Sequence, residues 1–267
     1  MRVSLYAYCV TRLDRDEPWQ VIPGLEDRPV FPVRDHKVAI LVSRVERLKL
    51  DDPRCVVQHG QVVHRVFENR TVLPFRYGTS FSGEEEVQAI LRQNHDQFVE
   101  ALRVLRGTAE MHLKLQFRVP LAAPPAKAMA ATAGNGHTAR LTATNKGYAL
   151  ARPAALQAER LAQQHADRLI LHLKNQLHPR ADQAAVRYAA DGLVMMDLRF
   201  LMSDCDVAAC QKFSLSKYGD VQDCHWQVTG PWPPYHFLPV TAKLPGRAER
   251  LAPPPGRLPL RHRVARA

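Results

Sequence analysis

Apolar positions along the chain fall into short blocks of changing period, and each block predicts an element. Val3 to Val10 reads as a strand, and Val38-Ala39-Ile40-Leu41-Val42 is a five-residue apolar run between polar residues, the pattern of a short buried strand. Pro53 to Phe67 carries Val56, Val57, Val63, Val66 and Phe67 and predicts a helix; Val72 to Phe75 predicts another strand. Ser82 then opens a helix, with Glu85 reaching back in a Ser-x-x-Glu capping box and Glu84, Glu85 and Glu86 at the positive end of the helix dipole. Val87, Ile90, Leu91, Phe98, Leu102 and Leu105 give it one apolar face, and Gly107 ends it. Met111, Leu113, Leu115 and Phe117 alternate with His112, Lys114, Gln116 and Arg118, a half-buried strand of period two.

Pro124-Pro125 next leads into an Ala, Thr and Gly run with almost no large apolar side chain, which predicts an interdomain connection over 120–150. Pro153 is expected to open a long helix whose Leu156, Leu161, Ala162, Ala166, Leu169, Ile170, Leu173 and Leu177 share a side, ending before Pro179. Ala184 to Ala190 and Leu193 to Met202 flank Asp191-Gly192, a dipeptide suited to a two-residue hairpin. A shorter helix at Asp206 to Ser214 and a strand at Cys224 to Thr229 follow. With the strand at 111–118 the second half reads β-α-β-β-α-β, the ferredoxin-like pattern, although that strand could instead complete the first half. The expected fold class is α+β, with an N-terminal domain at 1–119 and a modified ferredoxin-like domain at 151–240.

Length and composition support two modest domains, since 267 residues at roughly 150 per domain is too long for one small core. No apolar stretch approaches the roughly 18 residues of a spanning helix, so no membrane span is expected. The first residues run straight into Arg12, Asp14, Arg15, Asp16 and Glu17 without a small-residue cleavage site, which argues against a signal peptide. Cysteines 9, 55, 205, 210 and 224 form an odd, widely spread set that fits a reducing cytoplasm. The net charge of +11 first suggests a polyanion partner. Over half of it, a surplus of six, sits in residues 243–267, where seven Lys and Arg face Glu249 alone. With five prolines and no aromatic residue there, 241–267 is expected to be a disordered basic tail.

Candidate chemistry is sparse. Cys205, Cys210, Cys224 and His225 are potential zinc ligands, but Cys205 and Cys210 lie five apart and form no C-x₂₋₄-C clip; buried cysteines are the other reading. His59, His64 and Glu68 on the first helix offer an i, i+4 pair able to share a metal or a proton, or a solvated helix face. Arg76 to Gly83 joins a strand to a helix start, as anion-binding turns do, but lacks the Gly-Lys-Ser/Thr ending of a phosphate loop. No complete ligand set has credible spacing and no hydrolase or metalloprotease motif appears, so no cofactor, metal or catalytic residue is expected. The most unusual segment is Thr229-Gly230-Pro231-Trp232-Pro233-Pro234-Tyr235-His236-Phe237, where three prolines stiffen the path of three large aromatics. It is either a cap over the last strands or a preorganised ridge offered to another protein.

That segment, with Val72-Leu73-Pro74-Phe75-Arg76-Tyr77-Gly78-Thr79-Ser80-Phe81 and the acidic helix after it, closely resembles the gas vesicle GvpL/GvpF family. Tyr6-Ala7-Tyr8-Cys9-Val10, Ile22-Pro23-Gly24-Leu25 and the strand around Ala39 to Ser43 are weaker matches. The similarity spans about residues 3–237, without the connection and the tail. Cys9-Val10 stands where the family tends to have Gly-Ile, Tyr77 where Phe is usual, and Gly60 where Glu is common. The resemblance implies a cytoplasmic, non-enzymatic accessory protein of gas vesicle formation, with the hydrophobic shell subunit and other accessory proteins as partners. Trp232, Pro233, Pro234, Tyr235, Phe237, Arg76 and Tyr77 are then the expected partner-binding residues. The competing expectation is a nucleic-acid-binding protein on ferredoxin-like domains using its basic tail, but no strand carries the aromatic RNA-recognition run.

Overall fold

The structure is a computed structural model and describes residues 4–14, 16–46, 51–118, 143–189, 192–213 and 224–238, without the side chains of 143–156 and 158. Residues 120–142 of the expected connection, Asp191 of the expected turn and the basic tail at 241–267 lie outside these. Helices and two sheets are mixed along the chain, an α+β architecture. The chain divides into two compact units. The first holds residues up to Met111 with Leu201–Val207 and the segment from Gly230; the second holds His112–Phe200 and Ala208–Thr229.

In the first unit β1 (Ser4–Arg12) is the centre of a six-stranded sheet. It runs antiparallel to β4 (Val38–Val45) on one side, and to β5 (Val72–Pro74) and β6 (Ser80–Phe81) on the other. β3 (Pro29–Asp35) pairs the far side of β4, and β2 (Ile22–Pro23) completes the row β2-β3-β4-β1-β5. Helices α1 (Pro53–Phe67) and α3 (His95–Val104) both contact β1, and Tyr6 to Val10 are wholly buried. Burial on both faces goes with the apolar side chains that Leu5 to Val10 present on each side of the sheet. The sheet ends in strands of two and three residues, which leaves little open edge for stray pairing.

α1 keeps the expected bounds because Asp52 caps it, its carboxylate accepting from the Arg54 N–H at 2.9 Å, with Pro53 in the first turn. The single helix expected from Ser82 to Gly107 is instead two, α2 (Glu84–Gln93) and α3, broken at Asn94. Asn94 turns its side-chain amide back onto the Ile90 carbonyl at 2.9 Å, competing with the backbone ladder there. The expected capping box does not form: Gly83 stands at the N-cap with no side-chain cap, and Ser82 instead donates its backbone N–H and its hydroxyl to the Glu86 carboxylate, both at 2.7 Å. Gly107, at φ +65, ends the helical stretch as expected.

The second sheet has the order β10-β7-β9-β8, from β7 (Thr108–Arg118), β8 (Ala181–Tyr188), β9 (Leu193–Ser203) and β10 (His225–Trp232). The strand at 111–118 therefore pairs with the later strands. α4 (Ala143–Leu177) precedes β8, and α5 (Asp204–Gln211) lies between β9 and β10. α4 begins ten residues before Pro153, the expected start, and carries that proline inside it. Its buried stripe is Ala162, Ala166, Leu169, Leu173 and Leu177. It lies along β8, where Lys174 pairs with Asp182 at 2.8 Å and the Tyr188 hydroxyl donates to Gln163 at 2.5 Å. On β9 Val194, Met196, Leu198 and Phe200 are buried, the face their alternation predicts. No helix among the described residues is long and apolar enough to cross a membrane.

Candidate functional site

The Pro-rich segment is held by the first unit through three contacts. Gly230 has φ +124, a region that favours glycine, and a Cβ there would come within 2.8 Å of the Glu110 carbonyl and the Met111 sulfur. Glu110 is wholly buried, and its carboxylate accepts from the His236 backbone N–H at 2.9 Å and lies 2.5 Å from His236 Nδ1. The Trp232 ring leans on His64 of α1, centroids 6.0 Å apart. Pro233 and Pro234 are buried between these points. Trp232 and Tyr235 keep 41% and 36% of their surface exposed, so the prolines face inward and two aromatics face out. Burial around the Tyr235 phenol raises its pKa all the same, which keeps the hydroxyl protonated and neutral.

Arg76 and Tyr77 occupy a different place. Arg76 is exposed on a turn closed by Thr79, whose N–H and hydroxyl both donate to the Arg76 carbonyl, at 3.2 and 2.7 Å. Tyr77 is half-buried against Tyr6 and His59, with centroid distances of 6.2 and 5.9 Å. The link between the two groups is α1, since His59 meets Tyr77 and His64 meets Trp232. Val57, seven residues before His64 and so on the same helical face, is 58% exposed, and Val56 is 47% exposed. The helix thus adds apolar surface that its periodicity alone would have assigned to the core. Phe237 is only partly exposed.

His59 is buried, not solvated, and belongs to the core of the first unit. Its Nε2 lies 3.2 Å from the Phe75 carbonyl and must donate there, so Nδ1 accepts from the Tyr6 hydroxyl at 2.8 Å. The Tyr6 oxygen in turn accepts from the Gly78 N–H at 3.2 Å. Burial drives the His59 pKa down to about 4, opposed by the bond to Phe75, and raises that of Tyr6. Both stay neutral at pH 7, and no reacting atom has access to them. Beside them Tyr8 accepts from the Leu25 N–H at 2.8 Å and shares a 2.8 Å bond with Ser43. This network fixes the turn that carries Arg76 and Tyr77.

His64, besides meeting Trp232, has its Nε2 3.9 Å from the Glu68 carboxylate on a half-exposed face. The cysteines do not gather into a ligand set among the described residues. Cys205 is exposed, while Cys210 is buried and its thiol is pushed up to about 11 by desolvation. The residue that sequence reading passed over is Glu110, the one fully buried acid of the described core. A signal was present: Glu110 and His112 sit two apart on a strand, so they share a face.

The model of the gas vesicle synthesis protein GvpL/GvpF family matches residues 4–239. The chain belongs to that family. Two solved structures share its fold: gas vesicle protein GvpF from Microcystis aeruginosa, with a TM-score of 0.62 at 18% identity, and GvpF from Anabaena sp. PCC7120, with 0.61 at 19% identity. In both cases 89% of this chain aligns with 99% of the other. No curated protein matches it by sequence. The family's gas vesicle association applies to this chain through the match over residues 4–239, and the two crystal structures bear on its fold.

Proposed function

We propose that this chain is a non-enzymatic, cytoplasmic accessory protein of gas vesicle formation that docks the hydrophobic shell subunit and other accessory proteins. Membership of the GvpL/GvpF family supports the process. The docking surface is the ridge of Trp232 and Tyr235, with Pro233, Pro234 and Phe237 setting its path and Arg76 and Tyr77, on the turn beside His59 of α1, as a second contact. The observation that carries it is the exposure of Trp232 and Tyr235 on a segment whose Pro233 and Pro234 are buried. Large rigid aromatics held in a fixed path lose little entropy on binding, which is what recognition of a bare apolar partner requires. The neutral, buried state of His59 and Tyr6 supports a structural role for this hydrogen-bonded pair. We read the second sheet, with its β10-β7-β9-β8 order, as a modified ferredoxin-like unit.

Replacing Trp232 or Tyr235 by Ala tests the assignment. Binding to a shell-protein partner, or vesicle assembly, is expected to fall while the protein still melts cooperatively. If both variants bind and assemble like the parent, the ridge is not the docking surface.

A further inference from the structure

Trp232 and Tyr235 form an exposed aromatic pair on a path that the first unit fixes at several points. The Tyr235 N–H donates to the Pro233 carbonyl at 2.8 Å, a tight turn over Pro234 that sets the backbone under the second ring. At the Trp232 end stands His64, and beyond it the Glu68 carboxylate, more than half exposed. The surface therefore offers two rigid rings, an indole N–H, a neutral phenol and a negative charge at one end.

The same chain carries a chemical complement. Ala252-Pro253-Pro254-Pro255-Gly256-Arg257-Leu258-Pro259 holds four prolines and one arginine. A proline run favours the polyproline II helix before it binds anything, and with no internal hydrogen bonds its rings and carbonyls both face outward. Exposed Trp and Tyr rings suit such a segment: they pack on proline rings, while N–H and O–H groups at their tips donate to the carbonyls. We propose that the ridge of Trp232 and Tyr235 is a polyproline-binding surface whose occupant is segment 252–259 of this same chain, with Arg257 towards Glu68.

Two observations favour this occupant. The described chain reaches Leu238, three residues after Tyr235, so the proline run is tethered directly to the surface it fits. Even as a random coil residues 239–252 would span about 20 Å, and extended up to about 46 Å, enough to bring the run back without strain. The second is charge: residues 243–267 carry a surplus of six positive charges, and the acid beside the ridge is Glu68. A short tether gives an effective concentration of roughly 1 mM, so a contact with a dissociation constant of ~0.1 mM is about nine-tenths occupied within one chain. The inference rests on the reading of the ridge as a docking surface and adds its regulation: the tail covers the aromatics until a partner displaces it.

The experiment uses the full chain labelled with 5-fluorotryptophan. Trp19, Trp226 and Trp232 are its three tryptophans, so three fluorine NMR lines result, and Trp232→Phe assigns the informative one. The Trp232 line of the parent is expected to stand away from that of a full-length Pro253→Ser, Pro254→Ser, Pro255→Ser variant, with the other two lines unchanged. Titrating that triple variant with a synthetic peptide of residues 250–262 should return the Trp232 line to the parent position. The parent should bind the same peptide about tenfold more weakly, because its own tail competes. Adding Tyr235→Ala to the triple variant should lower peptide affinity at least fivefold, with a circular-dichroism melt showing that the chain is still folded. The proposal is overturned if the Trp232 lines of parent and triple variant coincide, if the peptide moves Trp19 or Trp226 instead, or if folded Tyr235→Ala binds it unchanged. It is also overturned if the parent's line moves to the variant's position on dilution, which would put the tail of a second copy on the ridge. No shell protein enters these measurements, so a failure here is separate from a failure of the docking assignment.

Discussion

The buried carboxylate of Glu110 holds His236 twice, at its backbone N–H, 2.9 Å away, and at ring Nδ1, 2.5 Å away. Residues 126 apart are thereby joined inside the first unit, and the ridge between Gly230 and His236 is closed at both ends on the start of β7. Glu110→Gln keeps the shape but replaces the carboxylate that makes both bonds. We expect a loss of about 2 kcal/mol in stability, the scale for hydrogen bonds to an ionised group. Tryptophan fluorescence should also change as Trp232 moves from His64. An unchanged melt and emission would show that the segment is held elsewhere.

His59 predicts a specific acid sensitivity. Its ordinary value is about 6.5, and burial lowers it in the folded protein to about 4. Above pH 6.5 both states are neutral and the contribution is constant. Between pH 6.5 and 4 only the unfolded chain takes up the proton, so stability falls through that window, by about 3 kcal/mol in all. Denaturant melts at pH 7 and pH 4.5 should differ less for His59→Gln than for the parent. Equal slopes in the two proteins would mean that the folded imidazole is not shielded.

Sequence periodicity located most elements because their apolar faces are local: α1 from its apolar positions, β4 from its short apolar run, β9 from its alternation. It missed β3, whose Pro29 and Pro32 obscure any strand signal, and it carried a helix through Asn94, where one side-chain bond to Ile90 decides the break. The site was legible in part. The prolines and aromatics of 231–237 stood out as composition, but their inward and outward sides depend on Gly230, Glu110 and His64, contacts made across long stretches of chain. His59 was indistinguishable from His64 in sequence because the difference is made by Tyr6 and the Phe75 carbonyl.

Charge in the tail leads to a third expectation. Any nucleic-acid binding by the full chain should reside in residues 243–267, be independent of sequence and weaken steeply with salt, because Arg without aromatic partners contacts phosphate alone. A chain ending at residue 242 should show none in a mobility-shift assay at low salt. Salt-resistant binding by that shorter chain would revive the nucleic-acid reading.

Two glycines should respond to alanine in opposite directions. At Gly230 the backbone stands at φ +124, and an added Cβ would meet the Glu110 carbonyl at 2.8 Å, a backbone atom unable to swing aside. The substitution imposes both torsional strain and a clash, so Gly230→Ala should lose about 2–4 kcal/mol and loosen the ridge. At Gly60, inside α1, nothing lies within 4 Å of the added carbon. There alanine removes only the excess freedom of the unfolded chain and the low helix propensity of glycine, so Gly60→Ala should gain about 0.5–1 kcal/mol. Urea melts of the two variants measure both. Equal destabilisation at the two sites would mean that α1 needs Gly60 for a partner's close approach, and Gly230→Ala melting like the parent would mean that the ridge does not follow the path described.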